Sequence, residues 1–216
     1  MKKINIAIDG PSGVGKSTIA DIVAERLNMK HLDTGAMYRC VAYSTLKENI
    51  DPKNVDEVAK IMDTLHIEFT DDNRVLLNGN DVTKEIRMND VSMRASITSQ
   101  LAVVRTKLVS LQQDVCKNKG YIVDGRDICS TVLPDADIKI YMSATSKARA
   151  QRRYDEYVSK GIDADYETIY QDIVARDYQD MHREISPLKK ALDATEIDTS
   201  SLTIDEVVEK VLKLVD

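Results

Sequence analysis

The sequence predicts an α/β domain: a parallel sheet flanked by helices in three layers, with an insertion near its middle. Three observations lead there. A glycine-rich loop with phosphate-binding spacing lies between an apolar strand and a helix. Further apolar strands, one of them ending in an acid, alternate with helical stretches. One central segment departs from the rest in charge and pattern.

The elements follow in order. Ile4 to Ile8 is a short apolar run closed by Asp9, which reads as a buried strand. Gly10, Pro11, Ser12, Gly13, Val14, Gly15, Lys16, Ser17 and Thr18 come next, and the apolar positions up to Leu27 suit a packed helix. In such a loop the glycines let main-chain N–H groups approach phosphate oxygens, and the helix N-terminus adds partial positive charge. Lys16 is expected to reach the β- and γ-phosphates and Ser17 to hold Mg²⁺, so ATP is the expected ligand. Asp33 or Thr34 caps the next helix, which carries Arg39. Helical periodicity at Val55–Leu65 then gives way to strands at 66–70 and 74–78 around a polar turn at 71–73. Between Lys47 and Asp90 acids outnumber bases by eleven to six, so residues 40–100 read as the insertion. Tyr121 to Asp124 is an apolar strand ending in an acid. Ile138–Met142 and Glu196–Asp198 are further strands, and a last helix begins near Ile204.

Composition excludes several classes. At 216 residues the chain makes one domain, 1–216, or a core with an insertion, and 43% apolar residues suffice for a core. No run approaches the ~20 apolar residues that span a membrane. The N-terminal apolar run breaks at Asp9, which does not fit a signal peptide. Cys40, Cys116 and Cys129 lack metal-ligand spacing and suit a reducing cytoplasm. A net charge of −6 argues against sequence-independent nucleic-acid binding. His31, His66 and His182 are scattered and read as structural or surface residues.

Arginines point to the acceptor. Arg149, Arg152 and Arg153 fall on one helix face, as do Arg176, Asp180 and Arg183. Arg126 and Asp127 follow the strand that ends at Asp124. Solvated helix faces and a self-satisfied turn account for these equally well until the phosphate loop is weighed. Unit charges ~4 Å apart repel by ~4 kcal/mol at an effective dielectric of ~20, so bringing two phosphates together calls for several converging cations. A phosphate acceptor, with a second pKa of ~6, needs little help from a base.

The run Ile8–Ser17, then Asp33–Arg39, Asp124–Asp127, Ala175–Arg183, Ser186–Leu188 and Ile197–Thr199, in this order, resembles bacterial cytidylate kinases. The resemblance implies a P-loop NTPase core, a nucleoside-monophosphate-binding subdomain at 40–100 and a lid at 150–165. It implies transfer of a phosphoryl group from Mg-ATP to CMP or dCMP, in pyrimidine nucleotide metabolism. In that family Thr34, Arg39 and Arg126 line the acceptor site, Asp127 reads cytosine with Ser99 and Arg105, and Arg176 and Asp180 contact the ribose. Arg183 faces the transferring phosphate, and Arg149, Arg152 and Arg153 begin the lid that closes over ATP.

Two departures stand out. Cys129 and Ser130 replace a common Gly-Thr, and a positive φ there would cost Cys129 about 1 kcal/mol. The stretch from Ser99 to Arg105 reads a few residues short. The rivals are a small-molecule hydroxyl kinase of the shikimate or uridine type, and a nucleotide-dependent switch. A monomer is the expectation.

Overall fold

The structure, a computed structural model, describes residues 3–70 and 74–215. The expected polar turn at 71–73 lies outside the described residues. The chain divides into two compact units, residues 1–31 with 118–216, and residues 32–117.

The first unit is built on a five-stranded sheet in the order β2-β6-β1-β7-β8. Its strands are β1 (Ile6–Asp9), β2 (Lys30–Asp33, which runs on into the second unit), β6 (Tyr121–Gly125), β7 (Ile138–Ser143) and β8 (Thr195–Asp198). Parallel ladders join β1 to β6, β1 to β7 and β7 to β8, with Asp9 opposite both Gly125 and Tyr141. Every residue of β1 is buried, as a central parallel strand requires.

Helices α1 (Lys16–Leu27) and α8 (Ile204–Leu212) pack against this sheet: Ile19, Ala20 and Val23 of α1 and Val207, Val208 and Val211 of α8 join Ile6, Ile8, Ile122, Ile140 and Met142 in one core. Each large aliphatic side chain so buried contributes about 1.5–3 kcal/mol. Thr203 and Glu206 form a reciprocal capping box that starts α8.

Helices α6 (Ser146–Ser159) and α7 (Tyr166–His182) form a hairpin whose core is Ala150, Ile169 and Ile173, with Tyr154, Tyr157, Tyr166 and Tyr170 packed around it. Residues 150–165 thus comprise most of α6, a turn at Gly161 and the Asp165 cap of α7.

The second unit holds α2 (Thr34–Lys47), α3 (Val55–Thr64), α4 (Asn89–Thr98) and α5 (Ala102–Cys116) with a small antiparallel sheet. That sheet is β3 (Ile67–Phe69), β4 (Val75–Leu77) and β5 (Asn80–Asp81). The strand β5 was not expected, although Asn78-Gly79 is a strong hairpin signal: both residues take positive φ, 49° and 78°, as a two-residue turn demands. Asn54 caps α3 by accepting the Glu57 amide.

Candidate active site

The phosphate loop follows β1 and starts α1. Gly10 is required by space, because a Cβ there would sit 2.2 Å from the Met142 carbonyl oxygen. Gly15 is the N-cap of α1 with φ 93°, and no side chain caps the helix. Pro11, Ser12 and Val14 are buried, while Gly13, Gly15 and Thr18 are exposed. Lys16 is buried and its Nζ donates to the carbonyls of Gly10 and Pro11 at 2.8 and 2.9 Å. Burial first, then the Arg126 charge, pull its pKa down to about 7, against the pull of Asp124, Asp9 and Asp180.

The loop is held from behind. Arg149 on α6 donates to the Ser12 carbonyl at 3.0 Å and is ion-paired with buried Asp177 of α7. Thr199 Oγ1, just past β8, donates to the Val14 carbonyl at 3.3 Å, and Arg152 donates to the Thr199 carbonyl. Arg149 and Arg152 therefore brace the loop and the end of the sheet; Arg153 is half-buried on α6.

Asp124 lies near the end of β6, where its Oδ2 accepts from Ser17 Oγ at 3.0 Å. His31 Nε2 lies 2.8 Å from the other oxygen, and His31 Nδ1 lies 2.7 Å from Asp21. Burial alone would lower the His31 pKa, but its hydrogen bonds to the two carboxylates outweigh this and hold it up at about 10. His31 thus holds a structural bridge between Asp21 and Asp124. No spacing signal could have shown the Asp124 contact, since that partner lies 93 positions off in the chain.

The segment after β6 is tied to the end of α7 by two ion pairs. Arg126 Nε donates to Asp180 at 2.8 Å, and Arg183, the C-cap of α7, donates to Asp127 at 3.3 Å and to the Ser186 carbonyl at 2.7 Å. Burial would raise the Asp180 pKa; Arg126, with Arg176 and Arg183, pulls it below the usual carboxylate range. Arg176 is half-buried one turn before Asp180. These arginines arrive already paired, which fixes their geometry.

Cys129 is unstrained. It lies in a wide helical turn, Ile128–Val132, and φ is not positive there, so the condition for strain is not met. Its Sγ contacts the carbonyls of Ala7 and Ile140 within the sheet. The Ile128 and Cys129 amides donate to buried Asp9 at 2.7 and 2.9 Å, which anchors the turn on β1.

In the second unit Asp33, rather than Thr34, caps α2: its Oδ1 accepts the Ala36 amide at 2.9 Å and its Oδ2 accepts from Arg39 at 2.8 Å. Gly35 leaves room for this pair, because a Cβ there would lie 2.9 Å from Arg39 Nη1. Thr34 is buried as the first residue of α2. Buried Arg105 donates to the Ser99 carbonyl at 3.4 Å and stacks over Tyr38, 5.6 Å from the ring centre. Ser99 is the C-cap of α4, and its hydroxyl donates to the Ser96 carbonyl. The structure so gathers Ser99 and Arg105 together with Tyr38, which sequence reasoning missed.

Among the described residues no group of three or more His, Cys, Asp or Glu could hold a metal by itself, and no helix is long and apolar enough to cross a membrane.

The family model described as cytidylate kinase matches residues 6–216. A cytidylate kinase of Caldicellulosiruptor saccharolyticus is 49% identical over 99% of this chain and 96% of its own length. One from Bacillus subtilis is 46% identical over 100% of this chain and 97% of its own. Among solved structures, a shikimate kinase from Bacteroides thetaiotaomicron (TM-score 0.52, 11% identity, 98% of each chain) and a gluconokinase from Sinorhizobium meliloti (TM-score 0.51, 12% identity, 98% of this chain and 91% of its own) share the fold. Full-length relatives and a matching phosphate loop lead to one conclusion: the chain belongs to the cytidylate kinase family.

Proposed function

We propose that this chain transfers the γ-phosphoryl group of ATP to CMP or dCMP, giving ADP and CDP or dCDP. The observation that carries this reading is the meeting of the phosphate loop with the end of β6, where the Ser17 hydroxyl lies 3.0 Å from Asp124. Kinases of this kind take ATP with a divalent metal. The residues present fit Mg²⁺, which favours hard oxygen ligands and usually relies on one or two carboxylates plus substrate phosphates. Ser17 and Asp124 would hold it, and it would supply neutralisation of phosphate charge.

The loop amides and Lys16 would hold the donor phosphates. Arg126 and Arg183, immobilised by Asp180 and Asp127, would stabilise charge on the transferring group at little reorganisation cost. Arg149 would act by holding the loop, with Arg153 nearer the donor in the lid at 150–165. Thr34 and Arg39 would bind the acceptor phosphate, and Arg176 and Asp180 its ribose. Asp127, Ser99 and Arg105 would read cytosine, whose exocyclic amine donates where uracil accepts; such a site can discriminate by ~10⁴ or more. We read residues 40–100 as the nucleoside-monophosphate-binding subdomain, and the protein as a cytoplasmic monomer.

The test is ADP production from Mg-ATP with CMP, dCMP, UMP, AMP, GMP, cytidine and shikimate offered separately. Strong stimulation by CMP and dCMP with little from UMP or cytidine is expected. Stimulation by cytidine or shikimate alone would shift the reading to a hydroxyl kinase, and slow turnover indifferent to every acceptor would shift it to a switch.

A further inference from the structure

Both nitrogens of the His31 ring meet carboxylates. Nδ1 lies 2.7 Å from Asp21 Oδ1 on α1, and Nε2 lies 2.8 Å from Asp124 Oδ1 near the end of β6. The ring is 10% exposed and the Asp124 side chain 5%. An ionised carboxylate only accepts, so this geometry asks a hydrogen of each ring nitrogen. The second oxygen of Asp124 accepts from Ser17 Oγ at 3.0 Å. The two oxygens of one carboxylate are thus divided, one on His31 and one on the hydroxyl at the start of α1. The terminal torsion of an aspartate is broad and soft, so fixing one oxygen fixes where the other points.

We propose that His31 is a positioning residue for the divalent ion of the phosphoryl transfer: it ties Asp124 Oδ1 to α1, so that Oδ2 stays turned towards the Ser17 hydroxyl. This rests on the reading of Ser17 and Asp124 as the protein's contacts to the metal. Asp21 has a separate part. Its carboxylate holds the Nδ1 side of the ring at 2.7 Å, which fixes the ring plane and keeps Nε2 against Asp124. The arrangement resembles the outer hydrogen-bond partners that orient metal ligands, with the roles of histidine and carboxylate exchanged.

Two substitutions separate the two contacts. A glutamine amide nitrogen falls near the place of His Nε2, so His31→Gln keeps a donor to Asp124. An asparagine amide nitrogen falls near the place of Nδ1, so His31→Asn keeps only the Asp21 side. The probe is Mn²⁺, its uptake by the protein–ATP complex followed as loss of the free-ion electron paramagnetic resonance signal. ATP affinity in EDTA and thermal unfolding are measured alongside. His31→Asn is expected to weaken Mn²⁺ binding about ten-fold or more and His31→Gln no more than about three-fold, in line with losses of outer-shell partners elsewhere. Metal-free ATP affinity stays unchanged in both.

Equal losses in the two variants, or none in either, would overturn the proposal. So would a parallel loss of metal-free ATP affinity in His31→Asn, since His31 would then support the whole loop. If His31→Asn does not fold, His31→Met takes its place: it matches glutamine in length, donates nothing, and is held to the same expected loss. Wild-type protein whose ATP complex takes up no Mn²⁺ would remove both the proposal and the reading beneath it.

Discussion

The two units tie down their charged groups differently. In the first, the partners are far apart in the chain: Ser17 and Asp124 are separated by 107 positions, Arg183 and Asp127 by 56, Arg126 and Asp180 by 54, and Arg149 and Asp177 by 28. In the second, the candidate acceptor residues have near neighbours as partners, although Arg94 reaches the Ile50 carbonyl 44 positions away. Asp33 and Arg39 are six positions apart, and so are Ser99 and Arg105. A local pair needs only its own short stretch of chain, whereas a distant pair exists only if the sheet forms. The first unit's site should therefore fail together with its fold, and the second unit's polar groups should be separable from it.

Breaking a distant pair has the largest expected effect. Asp177→Ala leaves the Arg149 guanidinium buried without its carboxylate, and about 3–5 kcal/mol of stability should be lost in urea unfolding. A loss under about 1 kcal/mol, the range of exposed pairs, would mean that water takes the carboxylate's place and that the contrast is weaker than drawn. Disturbing a local pair should be milder in stability and visible in binding. Gly35→Ala brings a Cβ within 2.9 Å of Arg39 Nη1 and 3.0 Å of Asp33 Oδ1. On the proposed acceptor role, KM for CMP should rise about ten-fold, near the value of one charge-assisted hydrogen bond, with kcat and the melting temperature little changed. An unaltered KM would take Arg39 off the acceptor. A smaller effect than at Asp177 is expected at Cys129→Gly, where the backbone carries no positive φ for glycine to relieve, while a buried thiol is lost and unfolded-state entropy is added. A loss of about 1–2 kcal/mol in thermal unfolding fits that view, and a gain would reveal strain at this turn.

Legibility follows the same division. The phosphate loop, its strand and its helix could be read because their residues are contiguous and each choice serves the same geometry. The cap on α2 was narrowed to Asp33 or Thr34, and only backbone placement decided for Asp33. Arg149 and Arg152 were expected to begin a lid. Their spacing did put them on α6, but it carried nothing about Ser12, Asp177 or Thr199, which turn them into braces. Cys129 was weighed for strain at a positive φ, which the backbone does not adopt. The wide turn points its sulfur at the carbonyls of Ala7 and Ile140 instead.

The sequence by itself determined the fold class, the phosphate loop with Lys16 and Ser17, and the family, since these rest on short contiguous motifs and on hydrophobic pattern. Tertiary structure alone decided which carboxylate each arginine takes, that His31 bridges Asp21 and Asp124, and that Asp9 anchors the Ile128–Val132 turn. The physical reason is that a buried charge must find a partner, and a parallel sheet brings together the ends of strands that lie far apart in the chain.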